Sequence, residues 1–268
     1  MKAVVRRGWE VKKAILELSY QKSTPHVSSA LSVSDILVAL FALKEKAGRN
    51  EIYLSKGHAA LALYATLKEF GVISDQDLSL YADNDSIYEG HVNSKIKGVP
   101  LSTGSLGHAL AFASGRALSD KTLGKRVNHW VVLSDGEMNE GSNWEAILLI
   151  AGLRLPNIHI VIDRNGLQSL KSTEQTVPLE PLGYKLEAFN WHVEDLDGHD
   201  ILALMEGMNA ANERNQPTCI IAHTRKGYPI TEMMEDGVKF HYKPADDDHI
   251  RSFKSLSTYQ VRNETISD

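Results

Sequence analysis

Short apolar runs alternate with amphipathic segments along residues 129–223, and this pattern limits the fold more than any other feature of the sequence. In chain order, periodicity predicts strand 129–134, helix 142–153, strand 158–162, loop 164–182, strand 191–195, helix 200–213 and strand 218–223. Strands that are separated by helices are joined by right-handed crossovers and pair in parallel. The runs are almost continuously apolar, as strands buried on both faces of a sheet must be. We therefore predict an α/β fold in which helices flank a parallel sheet.

The segments outside this alternation extend the same pattern. Helical spacing is predicted at 9–22 and at 33–46, the second with an N-cap at Ser34 or Asp35. The run EIYLSKGHAALALYATLKEF then predicts a short strand, a Lys-Gly-His turn and a long helix. Residues 75–103 are polar and predict a loop with a short helix, and the tail, 245–268, predicts a loop and a short helix. Since no linker or repeat interrupts the chain, we expect one domain over residues 1–268 with a short C-terminal tail.

Charge, apolar runs and cysteine content narrow the class of protein. A formal net charge of −5 gives no electrostatic case for binding nucleic acid. No apolar run approaches the roughly 20 residues of a membrane helix, and the charged N-terminus is not an export signal. The single Cys219 lies in the apolar run TCIIAH and is expected to be an inert core thiol. We therefore expect a cytoplasmic protein with neither nucleic-acid nor membrane partners.

Polar clusters follow two of the predicted strands. VVLSDGEMNEG contains Asp135, and IHIVIDRNGLQ contains Asn165 thirty positions later. One strand-helix-strand unit places such strand ends side by side, at the edge where ligands of open α/β sheets bind. A carboxylate, an amide oxygen and a backbone carbonyl are hard donors that suit Mg²⁺ or Ca²⁺. The alternative is that Asp135 only caps helix 142–153 or its loop.

A glycine-rich turn and four loop histidines add to this site. TGSLGHA, residues 103–109, leads into a helix, and backbone N–H groups at a helix start bind phosphate. Many helix-initiating turns contain two glycines, but beside a hard-metal site the turn favours a diphosphate ligand. The loop histidines are His26, His58, His91 and His241, whereas His129, His159 and His192 lie in or beside strands and are expected to be structural. Zinc-site spacing is absent from the sequence.

Six segments together resemble one known family. In order they are SKGHAALALYA, STGSLGHALAFASGRAL, SDGEMNEGSNWEA, VIDRNGLQSL, DLDGHDI and AHTRKGYPI. They are similar to the N-terminal, diphosphate-binding domain of transketolase over roughly residues 9–245. The resemblance implies a thiamine-diphosphate-binding fold, thiamine diphosphate with Mg²⁺ (Ca²⁺ or Mn²⁺ as substitutes), and transfer of a two-carbon ketol unit from a ketose or ketose phosphate to an aldehyde.

The resemblance also implies residue roles. The metal ligands would be Asp135, Asn165 and the carbonyl of Leu167. The catalytic histidines would be His26, His58, His91 and His241. The cofactor-binding residues would be Ser29, His58, Gly104, Ser105, Leu106, Asp135, Gly136, Glu137, Asn165, Leu167 and Lys226. Glu140 and Glu145 match acids near the family's subunit interface.

The sequence departs from the family in three respects. The loop around His26 reads PHVSSA instead of a Gly-His-Pro-Gly-like start, and His108 replaces a common glutamine. The chain also ends near the end of the family's first domain. We therefore expect a split transketolase, whose C-terminal partner subunit carries the pyrimidine domain and the activating glutamate.

Assembly and alternative functions follow from that expectation. We expect two copies of each subunit, or a homodimer of the isolated chain. The helix after Gly107 and helix 142–153, with Trp144 and Ile147, would be the apolar partner surface. Two other functions stay open: a related ketol or acyloin transfer in a specialised biosynthetic pathway, and a cofactor-binding subunit without activity of its own.

Overall fold

The sheet consists of five parallel strands in the order β1-β2-β3-β5-β4. A computed structural model describes residues 2–266, with side chains up to residue 257. The strands are β1 (Asn50–Leu54), β2 (Asn128–Ser134), β3 (Ile158–Arg164), β4 (His192–Asp197) and β5 (Thr218–His223). The predicted parallel sheet is confirmed, and each predicted strand agrees with the structure to within two residues at either end.

Helices cover both faces of the sheet. They are α1 (Lys2–Lys22), α2 (Val27–Ala47), α3 (Ala60–Glu69), α4 (Asp75–Ser79), α5 (Ala109–Thr122), α6 (Gly141–Gly152), α7 (Thr173–Thr176), α8 (Leu182–Ala188), α9 (Ile201–Glu213), α10 (Thr231–Glu235) and α11 (Asp247–Ile266). One apolar cluster joins the sheet to α1, α2, α3 and α9, and a second joins its other face to α5, α6 and α8. This double covering is why the strands are apolar throughout.

The first long core helix was only partly predicted. Helix α2 begins at Val27, so the predicted N-cap at Ser34 or Asp35 is wrong. Asp35 is instead a buried mid-helix residue that forms an ion pair with Lys12. The cap position is His26, in a left-handed conformation with φ 67°. Burial on all sides removes the amphipathic pattern from which a helix start is predicted.

Helix α2 also corrects the expectation about membrane spans. By length and composition this helix could cross a membrane, so the statement that no apolar run approaches that length is wrong. Its most apolar window is 94% buried within the protein, as in the core helix of a soluble fold. The apolar character of α2 is therefore explained by packing between α1, α3 and α9.

The chain ends differently from the sequence prediction. Residues 247–266 form one long helix, α11, instead of a loop and a short helix. Its beginning packs on α1, where the ring of Phe253 lies 5.4 Å from that of Trp9. The last two positions of the predicted tail, 267–268, lie outside the described residues. Helix α1 likewise begins at Lys2, seven residues before the predicted start.

Strand register places the polar clusters at one edge. Ser134 of β2 pairs with Asp163 of β3, so both strands reach the same level before the chain leaves the sheet. Asp135, the residue after β2, and Asn165, the residue after β3, therefore leave the sheet within one residue of the same level. Leu54 at the end of β1 pairs with Val132 and brings the Lys-Gly-His turn to the same edge.

Candidate active site

A cavity of about 100 Å³ lies at the carboxyl edge of the sheet. Residues from the ends of β1, β2, β3 and β5 and from α2 surround it. Its lining consists of Ser29, Lys56, His58, Leu106, Ser134, Gly136, Asn165, Leu167, Gln168, Ser169, Lys226 and His241. Eight of these positions are among those predicted from sequence; Lys56, Ser134, Gln168 and Ser169 are not.

Asp135 is fully buried and stands in the chain between Ser134 and Gly136, which both line the cavity. Its Oδ1 accepts a hydrogen bond from the Gly136 amide at 2.7 Å, so the carboxylate does cap the short turn Gly136–Asn139. Its Oδ2 accepts from the Gly166 amide at 2.6 Å and from Nη1 of Arg164 at 3.1 Å. Burial and the charge of Asp163 raise the pKa of Asp135. A bound cation would offset that electrostatic cost, so capping and metal binding are compatible at this residue.

Asn165 and Leu167 complete the predicted oxygen donors. Both line the cavity. The amide nitrogen of Asn165 donates to Oγ of Ser32 at 3.3 Å, which directs Oδ1 of Asn165 to the opposite side, where the Leu167 amide donates to it at 3.1 Å. Among the described residues, no cluster of three or more His, Cys, Asp or Glu side chains could hold a metal. The predicted donors are one carboxylate, one amide and one backbone oxygen, a set that would suit a hard cation whose remaining positions are taken by phosphate and water.

An ion pair between Lys56 and Asp163 lies at the centre of the site. Both side chains are buried, and Asp163 also accepts hydrogen bonds from Ser32 and Thr224. These partners hold the pKa of Asp163 below its usual value although burial alone would raise it. Lys56 lines the cavity but is not among the residues predicted from sequence. The available signal was its position, two residues after the apolar strand β1 and directly before Gly57 and His58.

Four histidine rings lie together, and two of them, His58 and His241, line the cavity. His26 is central, with ring centroids 4.8 Å from His241, 5.5 Å from His58 and 6.4 Å from His91. They come from positions more than 200 residues apart, and the structure brings all four to the predicted edge of the sheet. The backbone amide of His26 donates to the carbonyl of His241 at 3.1 Å, which ties the two loops together. Their catalytic roles stay predictions.

Three of these histidines have lowered pKa values, which favours the neutral ring at pH 7. Burial lowers the pKa of His26, and it lowers the pKa of His58 well below its usual value. Burial and the charge of Lys226 lower the pKa of His241 to about 3. Neutral imidazoles can donate one hydrogen bond and accept another, and can therefore pass protons between hydroxyl groups.

Positive charge in the cavity therefore comes from lysine. Lys226 is buried, and its Nζ lies 3.2 Å from Nδ1 of His241. Burial and the nearby Lys56 lower the pKa of Lys226 to about 8. An anionic group in the cavity would stabilise the ammonium form.

Gln168 gives the site a free donor. Its side chain lies over Gly136, where a Cβ atom would come within 2.9 Å of Cγ of Gln168. Within the described part of the chain, the buried amide nitrogen of Gln168 has no hydrogen-bond partner. Because buried donors are rarely left unpaired, this atom is available to an acceptor on a bound ligand. Together with Lys226, it makes the cavity suitable for a diphosphate.

Glu137 has a different position from the one expected of a cofactor contact. It is fully buried and is not among the residues that line the cavity. Its carboxylate accepts from Ser55, from the Gly107 amide at 2.9 Å and from the Ser134 amide at 3.3 Å. Glu137 therefore holds the glycine-rich turn against the ends of β1 and β2. Because this hydrogen bond uses the Gly107 N–H, that group is not available to a phosphate.

The glycine-rich turn borders a second, more open groove of about 450 Å³. Its lining is His91, Leu101, Ser102, Thr103, Gly104, Ser105, His108, Ala109 and Phe112. Gly104 has φ 156°, and a Cβ there would come within 2.9 Å of the His91 ring. Gly104 and Ser105 thus lie beside His91, outside the first cavity, and His108 is an exposed residue at the start of α5.

The predicted apolar partner surface on α5 and α6 stays a prediction, but two residues named for it, Trp144 and Ile147, are not exposed. Ile147 is fully buried in the core beneath α6, and Trp144 is half-buried, with its Nε1 donating to the carbonyl of Met138 at 2.7 Å. The exposed apolar side chains of α5 and α6 are Phe112, Leu118, Leu148 and Leu149. Helical periodicity alone does not tell which apolar face meets the sheet. Glu140 and Glu145 are exposed at the start of α6.

One protein-family model matches the chain. It is described as transketolase, thiamine diphosphate binding domain, and it matches residues 20–266. That range contains every residue of the cavity and all four histidines.

Relatives and a solved structure agree with this match. The chain is 38% identical over 203 residues to one named subunit of the apulose-4-phosphate transketolase of Actinobacillus succinogenes, covering 75% of this chain and 73% of the relative. It is 31% identical over 242 residues to the protein of the same name from Phocaeicola vulgatus, covering 86% and 85%. The crystal structure of transketolase from Campylobacter jejuni superposes with a TM-score of 0.85 at 23% identity. That match covers 96% of this chain and 43% of the solved chain, so the present chain spans less than half of that structure.

Proposed function

The chain belongs to the transketolase family through its thiamine-diphosphate-binding domain, and from this premise we propose that it is the diphosphate-binding subunit of a two-component transketolase. The reaction would move a two-carbon ketol unit from a ketose or ketose phosphate to an aldehyde. The observation that carries the proposal is the joining of an oxygen-donor set, two buried lysines and four histidines at one sheet edge.

The lower part of the site would hold the diphosphate end of the cofactor. Asp135, Asn165 and the Leu167 carbonyl would bind a divalent cation, for which we propose Mg²⁺. Lys226 and the free amide of Gln168 would donate to phosphate oxygens. Gly136 allows the Gln168 side chain to lie close to the backbone, because a side chain at position 136 would collide with Gln168. When bound, thiamine diphosphate supplies the carbon nucleophile that accepts and passes on the ketol unit.

The upper part of the site would handle the sugar. Neutral imidazoles of His26, His58 and His241 would hydrogen-bond donor hydroxyls and accept or return their protons. His91 is exposed at the rim of the group, where incoming substrate would meet it first. These residues act on hydroxyl groups that ketoses share, so we propose the reaction class without a particular donor.

The partner would supply the pyrimidine domain and its activating glutamate. Support comes from the two relatives that are named as single subunits of a transketolase, of which the match covers 73% and 85%. The exposed apolar side chains of α5 and α6 give the chain a surface suited to such a partner. We propose an assembly with two copies of each subunit and two active sites. Exposed Glu140 would lie near the interface that connects these two active sites.

A second candidate is a ketol transfer in a specialised sugar pathway. The name of the Actinobacillus succinogenes relative specifies apulose-4-phosphate, so a related protein is named for an unusual sugar. Both candidates require the same site and differ only in donor and acceptor.

A reconstitution assay tests the proposal. The full chain is purified alone and together with the chain encoded beside its gene, and ketol transfer is assayed with thiamine diphosphate, Mg²⁺ and a panel of ketose phosphates. We expect turnover from the pair and none from the chain alone, because the activating acid belongs to the partner. Robust turnover by the chain alone would contradict the two-component proposal. Mass photometry of the active pair should show two copies of each chain.

A further inference from the structure

A cavity of about 310 Å³, termed the β4 cavity, lies where the edge strand β4 ends, and the proposed function uses none of its residues. Its walls come from α1, α2, the start of α9 and the segments that follow β4 and β5. Ligands of open α/β sheets bind at such carboxyl ends of strands. Small-molecule sites have volumes of roughly 300–1,000 Å³. The β4 cavity therefore has the position and the size of a site for a ligand as small as a monosaccharide.

Three largely buried polar side chains, Lys12, Asp35 and His199, line the β4 cavity. Lys12 forms an ion pair with Oδ1 of Asp35, and Nδ1 of His199 lies 3.0 Å from Oδ2 of the same carboxylate. The Arg225 amide donates to Nε2 of His199 at 2.9 Å, so the ring proton is on Nδ1 and is donated to Asp35. An ammonium has three donors, and within the described part of the chain Lys12 uses one of them, for Asp35. Lys12 therefore has buried donors left for an acceptor inside the cavity.

Two exposed carboxylates, Asp197 and Asp200, form the rim of the β4 cavity. Oδ1 of Asp197 accepts from the His199 amide at 2.8 Å, and Oδ1 of Asp200 accepts from the first amides of α9 at 3.0 Å. The second oxygen of each carboxylate is therefore left to accept from a ligand. Since Lys12 and Asp35 offset each other, these rim acids give the cavity net negative charge, which disfavours a phosphate group.

Two aromatic rings, those of Trp9 and Tyr228, flank the buried ammonium. Their centroids lie 5.8 Å and 5.7 Å from Nζ of Lys12. The Tyr228 ring also stacks on the His199 ring with centroids 3.9 Å apart. The cavity thus combines flat apolar surface, an inner donor and outer acceptors. A sugar ring presents the complementary groups, because it has C–H faces and hydroxyls that both donate and accept.

We propose that the β4 cavity is an effector site for an uncharged sugar of monosaccharide size. One hydroxyl oxygen accepts from Lys12, and other hydroxyls donate to Asp197 and Asp200. A C–H face of the sugar packs on the ring of Trp9 or Tyr228. A sugar phosphate is excluded by the rim carboxylates, and a protonated amine is disfavoured by the Lys12 ammonium.

The segment 224–228 connects the β4 cavity to the cofactor cavity. Thr224 donates to Asp163, and Lys226 lines the cofactor cavity, whereas Tyr228 lines the β4 cavity. A sugar and a diphosphate would therefore hold the same five residues. A ligand that orders a segment lowers the ordering cost for a second ligand, so each should strengthen the binding of the other. This coupling rests on the proposed function, whereas the binding of the sugar does not.

Ligand-observed NMR with D-ribose and the cofactor-free full chain tests the site. A dissociation constant of about 1–10 mM is expected for a ligand with about ten heavy atoms. Val5→Trp places a large side chain in the cavity from α1 without removing a polar contact, and should weaken binding by at least about tenfold. Ala3→Trp, an exposed change on the same helix, is the matched control and should stay within about twofold of wild type. Leu202→Trp blocks the same cavity from α9 if Val5→Trp does not fold.

The blocked variant also assigns the ligand class. Binding that Val5→Trp removes belongs to the β4 cavity, because Val5 is not a residue of the cofactor cavity. At this site D-ribose 5-phosphate and D-glucosamine should each bind at least about fivefold more weakly than D-ribose. Stronger binding of either charged sugar would overturn the proposed class. Equal binding of D-ribose to wild type and to the blocked variants would remove the site itself.

Calorimetric titration of thiamine diphosphate at saturating MgCl₂, with and without 50 mM D-ribose, tests the effector role. The sugar should lower the dissociation constant of the cofactor about fivefold in wild type and leave it unchanged in Val5→Trp. An unchanged or higher constant in wild type would overturn the effector role. If thiamine diphosphate does not bind with or without sugar, the proposed function is wrong, and that result differs from a bound cofactor that D-ribose does not affect.

Discussion

Nζ of Lys226 lies 3.2 Å from Nδ1 of His241, and this contact favours one tautomer of the histidine. While Lys226 is an ammonium it can only donate hydrogen bonds, which favours Nδ1 as the acceptor and the ring proton on Nε2. The pKa of His241, lowered to about 3 mainly by burial, agrees with a neutral ring. A buried lysine thus favours one tautomer of a catalytic candidate while it also provides charge for an anion.

Cofactor affinity should depend on the protonation of Lys226. Its pKa of about 8 in the free protein would rise when a diphosphate binds. Below pH 8 Lys226 is already charged. Above pH 8 it must take up a proton when thiamine diphosphate binds. The affinity for thiamine diphosphate should therefore fall as pH rises above 8, by up to about tenfold per pH unit. Titration of thiamine diphosphate at pH 7 and pH 9 measures this slope. Lys226→Gln should bind more weakly at pH 7 with a flatter profile, and the exposed Lys239→Gln should match wild type.

Asp135→Ala should abolish the metal dependence of cofactor binding. The substitution removes the only carboxylate of the proposed donor set, and the loss of a charged ligand should weaken binding by at least about 100-fold. Calorimetry with and without Mg²⁺ gives the measurement. Asp83→Ala, an exposed acid paired with Lys22, is the control and should bind like wild type. Equal affinities for wild type and Asp135→Ala would remove Asp135 from the metal site.

His91→Ala should affect turnover more than cofactor affinity. His91 lies at the rim of the histidine group and borders the outer groove instead of the diphosphate cavity. Loss of one acid–base or hydroxyl contact should lower kcat/KM of the reconstituted enzyme by about 100-fold or more, with the dissociation constant of thiamine diphosphate within about twofold of wild type. His223→Ala, an exposed histidine beside β4, serves as control. A large loss of cofactor affinity instead would place His91 in the cofactor site.

Stability should decrease at mildly acidic pH because of His159. In the described structure both of its ring nitrogens are buried without partners, and burial lowers its pKa to about 3. In the unfolded chain this histidine has its ordinary pKa. At a pH between that pKa and about 3, His159 is protonated in the unfolded state and neutral in the folded state. The free energy of unfolding should therefore fall with decreasing pH, at most by about 1.4 kcal/mol per unit from this residue.

Urea denaturation at pH 7 and pH 5 checks this expectation. His159→Leu should lose less stability over that interval than wild type, because it has no group to protonate. His108→Leu, a change at an exposed histidine, is the control and should follow wild type. An unchanged pH dependence in His159→Leu would show that other groups dominate acid unfolding.

A charge on the α6 surface should weaken association with the partner. Leu149 is 51% exposed and Leu148 is 58% exposed on α6. Leu149→Glu should lower the affinity for the partner subunit by about tenfold or more, since a buried carboxylate would lose its hydration. Analytical ultracentrifugation of the mixture measures the change. Tyr20→Glu is the matched control: it is 43% exposed on α1, which packs on the opposite face of the sheet.

The sequence by itself determined the sheet, its edge and most of the site. Parallel strands buried on both faces must be nearly continuous apolar runs, so β2, β3 and β5 could be placed within two residues. Because such strands all end at one edge, the polar segments after them had to come together, as the hydrogen bond from the Gly166 amide to Asp135 shows. Cys219, in the middle of β5, could likewise be assigned to the core, where burial raises its thiol pKa.

Only the tertiary structure decided which charged groups meet. Lys56 and Asp163 are 107 positions apart, and Arg164 reaches Asp135 across 29 positions. Periodicity reports how much of a segment is buried, but it carries no information about the partner of a buried charge. The buried start of α2 and the apolar faces of α6 were missed for the same reason, since both depend on the elements packed against them. A buried ion pair needs its partner at hydrogen-bond distance, and that distance is set by crossovers and strand register, not by local sequence.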